Sequence, residues 1–229
     1  FDKLNEELVV KTLDAESGRE LFALTLDSVL DFNFSPDGQR MLTVEDSDGL
    51  AKIRDTKSGK ILQTLALGAG FSSAVFSPDE RRVLTASMNG SAKIWDAETG
   101  KELLTLKGHE SFEYVDCVAF SPDSQRVVMG QNDTMAEVWD IQSGKKLISL
   151  KHCRNVKFSS DGSRVLATAD KTAKIWNTDT GKILNSLLTI DYGSWLPNQG
   201  IQSATFSPDD RFVLMTMGDK TARIWDTEN

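Results

Sequence analysis

The chain has 229 residues and a formal charge of −8, with 34 acidic against 26 basic side chains. That balance, with no block of like charge, argues against a surface built to neutralise phosphates, so no nucleic-acid partner is expected. Apolar runs of a few residues fall far short of the roughly 20 needed for a spanning helix, and two cysteines are too few for a disulfide framework.

The amino-terminal stretch "FDKLNEELVV" has no secretory hydrophobic core and no starting Met. The expected setting is the reducing cytoplasm, without a membrane partner, and the chain is expected to be part of a larger chain or complex.

Next comes "VVKTLDAESGRELFAL", which matches the end of a repeated unit: Asp14, Gly18, Leu21 and Leu24 fall where Asp96, Gly100, Leu103 and Leu106 fall later. Residues 1–26 therefore read as a partial unit of two strands. From residue 27 the same landmarks return five times. "FSPDG" begins at Phe34, "FSPDE" at Phe76, "FSPDS" at Phe120, "FSSDG" at Phe158 and "FSPDD" at Phe206, spaced by 42, 44, 38 and 48 residues. A period averaging about 40 to 45 residues is that of a four-stranded propeller blade.

Each landmark has a local cause. Proline presets φ for the second position of a type I turn, and the residue closing Ser-Pro-Asp-Gly lets the chain reverse, which predicts a hairpin. Arg40, Arg82, Arg126, Arg164 or Phe212 then opens an apolar second strand. Asp48, Asn89, Asp133, Asp170 or Asp219 marks a tight turn. The third strand ends at Trp95, Trp139, Trp176 or Trp225, with Arg54 in the first copy. A fourth strand carries leucine pairs such as Leu103 and Leu106. The last copy stops after Trp225 and Asp226, before any fourth strand. A sheet this small cannot cover two apolar faces, so neighbouring units must cover each other.

The ordered combination of "FSPDG", "AKIWDAETGK" and a single Gly108-His109 resembles the WD-repeat family of β-propellers, most of all in the style of its regular bacterial members. The resemblance covers essentially the whole chain. It implies an all-β propeller of four-stranded antiparallel blades, a single domain over 1–229 with five recognisable repeats and a partial amino-terminal one. It also implies a platform for protein partners with no catalytic centre. In the family a blade can be tied by His, Ser or Thr, Asp and Trp. Here Asp170, Thr168 and Trp176, or Asn89, Ser87 and Trp95, are the candidates, and no copy holds the full set.

Seven blades at about 42 residues each need about 290, so the preferred expectation is that these 229 residues are an incomplete part of a longer propeller chain. Residues 19–26 are placed to complete the last blade in the family's circular closure, which leaves the strand over 8–13 surplus. An open propeller completed by a partner's strands is the rival arrangement.

Function is expected in what does not repeat: the connections "ALGAGF", "KGHESFEYVD", "KHCRNV" and "TIDYGSWLPNQG" between sheets. Tyr192 and Trp195 are the leading partner-binding candidates, with Phe112 and Tyr114 as a second cluster and Phe71 beside them. A protein scaffold gripping a basic or neutral partner through this loop face is the main expectation. The alternative is a ligand- or protein-sensing module of a larger signalling protein. His109, Cys117, His152 and Cys153 match no zinc spacing, and the cysteines are expected to pack in first strands. Gly68–Gly70 lacks the rest of a phosphate loop. No cofactor, metal site or catalytic residue is expected, and the Asp and Arg that recur in every unit read as structural.

Overall fold

The computed structural model describes residues 8–13, 15–26, 29–45, 49–67, 70–107, 115–131, 135–151, 153, 155–169, 172–189 and 200–228. Among them there is no helix, and the strands form six antiparallel sheets in chain order. The first sheet pairs β1 (Leu8–Leu13) with β2 (Glu20–Leu26). The second holds β3 (Val29–Phe34), β4 (Arg40–Glu45), β5 (Leu50–Asp55) and β6 (Ile61–Ala66). The third holds β7 (Phe71–Phe76), β8 (Arg82–Ser87), β9 (Ser91–Asp96) and β10 (Glu102–Lys107). The fourth is β11 (Val115–Phe120), β12 (Arg126–Gln131), β13 (Met135–Asp140) and β14 (Lys146–Lys151). The fifth is β15 (Asn155–Phe158), β16 (Arg164–Ala169), β17 (Thr172–Asn177) and β18 (Ile183–Thr189). The sixth has three strands, β19 (Ile201–Phe206), β20 (Phe212–Met217) and β21 (Ala222–Asp226). β2 pairs with β1 rather than with β21.

The core lies between sheets rather than within any one of them. Strand alternation sends Leu84, Ala86, Ile94 and Ala92 of the third sheet to one face, where they meet Val118, Phe120, Val127 and Met129 of the fourth. The same aliphatic-to-aromatic meeting joins the second sheet to the third, the fourth to the fifth and the fifth to the sixth. Successive first strands touch, β3 with β7, β7 with β11, β11 with β15 and β15 with β19, so first strands form the inner side and fourth strands the outer rim. Each fully buried Leu or Ile in these layers contributes about 1.5–3 kcal/mol. Cys117 of β11 and Cys153, just before β15, both pack in the layer between the fourth and fifth sheets, and burial pushes the Cys153 thiol up to about 12.

The Ser-Pro-Asp-Xaa turns do two jobs. Gly38 N–H donates to Ser35 C=O at 2.8 Å, closing the expected turn. The buried Ser35 hydroxyl donates to Asp37 at 2.6 Å and accepts Arg40 N–H at 2.9 Å. Ser77, Ser121, Ser159 and Ser207 repeat this clamp.

The fourth residue of the turn then reaches back to the preceding sheet. Glu80 Oε1 accepts Asp37 N–H at 2.8 Å, Ser124 Oγ accepts Asp79 N–H at 3.1 Å, and the Asp210 carboxylate accepts Ser160 N–H and its hydroxyl, the latter at 2.6 Å. These three non-glycine residues sit at φ 63, 58 and 57°, a region that costs about 1 kcal/mol or more for side chains. The opening arginine of the preceding sheet donates to their carbonyls: Arg40 to Glu80, Arg82 to Ser124 and Arg164 to Asp210. Where the fourth residue is Gly162, no side chain reaches back, and Arg126 instead pairs with Asp179 at 2.8 Å.

The outer rim carries a second repeated device. Near the start of β6, β10, β14 and β18 the register slips by one residue, leaving Leu62, Leu103, Leu147 and Leu184 as unpaired, solvent-exposed extra residues of bulges, and β18 slips a second time at the buried Leu187. The residue after each bulge is aimed at the next sheet. An added Cβ at Gly100 would lie 3.1 Å from Gln63, at Gly144 3.1 Å from Leu104 and at Gly181 3.2 Å from Ile148. These glycines also have φ of 64–69°, so both conformation and close approach demand glycine.

Candidate functional site

Of the partner-binding residues expected from sequence, Phe112, Tyr114, Tyr192 and Trp195 lie outside the described residues, as do His109 and His152. Phe71 opens β7, its backbone opposite Ser87.

The tryptophans themselves are described, while Asp170, like Asp48 and Asp133, lies outside the described residues; at Trp95 the pairing differs from the sequence expectation. Trp95 Nε1 donates to Thr85 Oγ1 at 2.9 Å, not to Ser87, whose hydroxyl goes to Gly70 C=O at 2.7 Å. The partner is fixed by register: Thr85 sits opposite Lys93, two residues before the indole. In the second sheet Arg54 takes the tryptophan slot and donates to Thr43 in the same way, at 3.3 Å. In the later sheets Met129, Ala167 and Met215 occupy the Thr85 position, and the indole N–H groups of Trp139, Trp176 and Trp225 have no partner. Three sheets thus hold their tryptophans without a hydrogen bond from the indole, though Lys146 Nζ lies 5.9 Å from the Trp139 ring centroid.

A charge pair crosses from third to fourth strand beside these indoles. Lys93 Nζ meets Glu102 Oε2 at 2.9 Å and lies 5.3 Å from the Trp95 ring centroid; Lys11 and Glu20 make the same pair at 2.9 Å. The fourth sheet inverts it. Glu137 stands in the lysine position and accepts Lys146 Nζ at 2.8 Å. Glu137 is completely buried, whereas the Lys146 side chain is 43% exposed, and Glu137 Oε2 has no partner.

Between the β6–β7 connection and the β8–β9 turn lies a cavity of about 150 Å³, lined by Leu67, Gly70, Thr85, Ala86, Ser87, Asn89, Ser91 and Lys93. It opens at the end of the sheets that carries the nonrepeating connections. Leu67 and Ala86 give it an apolar wall, and Asn89, Ser91 and Lys93 give it polar groups. Sequence reasoning grouped Asn89 with the turn aspartates and passed over its amide. The signal was present, since Asn89 is the one amide among five turn positions otherwise held by Asp. Among the described residues, no cluster of three or more His, Cys, Asp or Glu has the arrangement of a metal site.

Comparison with known proteins agrees with this architecture. The family model described as "WD domain, G-beta repeat" matches residues 59–96, 100–140, 144–177 and 188–226. Among curated proteins, the chain is 38% identical over 73 residues to protein tipD of Dictyostelium discoideum, a match covering 31% of this chain and 11% of tipD. It is 38% identical over 68 residues to nuclear distribution protein PAC1 of Arthroderma otae, covering 30% of this chain and 13% of PAC1. WD repeat-containing protein 1 of Bos taurus is 39% identical over 72 residues, covering 31% and 11%. The chain thus spans only about a tenth of the length of the curated relatives it matches. Members of the family are generally noncatalytic platforms for protein interaction. With four matched repeats over more than half its length and sheets built as propeller blades, this chain belongs to the WD40 repeat family.

Proposed function

We propose that the chain is a noncatalytic scaffold that holds a protein partner through the connections between its sheets, centred on Tyr192 and Trp195, with Phe112, Tyr114 and Phe71 as a second group. The observation that carries this reading is that the repeated polar residues are consumed by the frame. Ser and Asp of each first turn clamp their own hairpin, and most opening arginines bond the neighbouring sheet. What remains for recognition is the part that varies. Aromatic side chains there bury large area with few torsions to freeze. The net charge of −8 favours a basic or neutral partner, and the setting is the cytoplasm.

Capture of partners from a source extract, quantified by mass spectrometry, tests this. The double variant Tyr192→Ala, Trp195→Ala is expected to lose at least about fivefold of the captured partner, a loss of about 1 kcal/mol, with an unchanged melting temperature. Unchanged capture, or a melting loss equal to that of Trp176→Ala, refutes the loop-face assignment.

The short share of each relative that the chain spans favours a second reading, a propeller that senses a ligand or protein and controls an attached effector in a longer signalling protein. Native mass spectrometry of the protein from its source separates the two, because only the second requires a further domain on the same polypeptide.

A further inference from the structure

The β8–β9 turn carries the amide of Asn89 where the β20–β21 turn carries the carboxylate of Asp219. The turn itself needs one side-chain oxygen. Asp219 Oδ1 accepts Thr221 N–H at 2.9 Å and its hydroxyl at 2.6 Å. Asn89 Oδ1 accepts Ser91 N–H at 3.0 Å and its hydroxyl at 2.6 Å, the same two bonds. The Asn89 amide nitrogen is surplus to the turn, and no hydrogen bond among the described residues uses it.

Asn89, which bears this surplus donor, lines the 150 Å³ cavity together with Lys93. The Lys93 ammonium has three hydrogens and gives one to Glu102. The hydroxyls nearby are already committed: Thr85 accepts the Trp95 indole, and Ser87 donates to Gly70 C=O. The unspent hydrogen-bonding capacity of the cavity is therefore mostly donor, with one amide and one cation. At about five times the roughly 30 Å³ that one water takes in the liquid, the space admits a short acidic side chain.

We propose that this cavity binds a carboxylate of the partner polypeptide, held between Asn89 Nδ2 and Lys93 Nζ. A carboxylate only accepts, and its two oxygens match the two donors that the frame leaves unspent. Aspartate at position 89, as in the other four turns, would place a like charge at the mouth. Glu102 competes for Lys93, so affinity for a free carboxylate is weak and salt-sensitive. The identity of the ligand as a partner's group rests on the scaffold reading, whereas binding of a bare carboxylate does not.

The test is titration of the 229-residue chain with sodium acetate against sodium chloride at matched ionic strength, following the Asn89 side-chain amide and the Ser91 and Lys93 backbone amides by NMR. A saturable shift with acetate alone is expected. Asn89→Asp keeps the turn oxygen and the melting temperature and weakens binding at least tenfold; Lys93→Met weakens binding to a similar extent should Asn89→Asp fold poorly. Glu102→Gln tightens it severalfold. No saturable shift, equal shifts with chloride, or unaltered binding by both Asn89→Asp and Lys93→Met overturns the proposal. A peptide with one internal Glu and an amidated end, and a peptide with a free carboxyl end and no acidic side chain, then distinguish the source. Failure of both peptides while acetate binds overturns the polypeptide assignment. Loss of partner capture in the loop variants leaves the acetate result untouched, so the two readings fail separately.

Discussion

Replacing Lys146 with Met is expected to destabilise the chain far more than the same change at Lys93, although both lysines make one ion pair of nearly equal length. The partner decides the difference. Glu137 is fully buried and its second oxygen already lacks a partner, whereas the Glu102 side chain is 39% exposed. Removing one member of a buried pair costs about 3–5 kcal/mol, because the remaining charge cannot be hydrated. The 43% exposure of Lys146 lets water reach part of the site, which brings the expected loss to about 2–3 kcal/mol. The Lys93 change should cost under about 1 kcal/mol, as exposed pairs do.

At about 2–4 °C per kcal/mol for a chain of this size, Lys146→Met lowers Tm by roughly 4–12 °C and Lys93→Met by under about 4 °C. Calorimetry with urea unfolding as a second probe reads both, since repeat arrays can depart from two-state behaviour. The exchange Glu137→Lys with Lys146→Glu rebuilds the polarity of the third sheet and should recover most of the loss. Equal losses at the two lysines, or an exchange variant as unstable as the sum of its single changes, would refute the reasoning.

Two further outcomes follow from the turns. Asp210→Gly relieves about 1 kcal/mol of positive-φ strain but removes charge-assisted bonds to Ser160, so a net loss near 2 kcal/mol is expected; Ser124→Gly loses one neutral bond and should be nearly silent in urea unfolding. Equal effects at the two sites would show that the backward bond contributes nothing.

The turn carboxylates also set an acid limit. The Ser159 hydroxyl, with help from Ser163, holds Asp161 down to about 2, and the Ser35 and Ser207 hydroxyls lower Asp37 and Asp209 in the same direction. A lowered folded value means that this stability is fully present above the unfolded value near 3.8 and is lost as pH falls toward 2. Ser159→Ala should flatten that part of the stability–pH curve, and an unaltered curve would exclude the clamp as its cause.

Strand order was legible because its signals are local. An aspartate and a turn-closing residue, with a proline in four of the five copies, close each hairpin within four positions, and the Asp- or Asn-to-Gly turn before each fourth strand is equally short-range. What could not be read was anything that depends on register. Thr85 and Ser87 point to the same side of β8, so alternation cannot say which one meets Trp95, and only the pairing of Thr85 with Lys93 does. The Glu137–Lys146 inversion was hidden for the same reason, since its members lie nine residues apart across a bulged hairpin. The aromatic candidates were chosen by their failure to repeat, a criterion that carries no geometry.

The rim bulges have a consequence for how such a chain behaves in a crowded solution. A straight outer strand offers an uninterrupted row of amides and carbonyls on which a foreign strand can zip, and a chain of many sheets multiplies that hazard. At Leu62, Leu103, Leu147 and Leu184 the extra residue breaks the row and twists it. An incoming strand meets a defect within its first few residues. The same residue that aims its neighbour at the next sheet thus keeps one molecule from templating on another, so deleting a rim leucine to straighten the strand trades solubility for pairing.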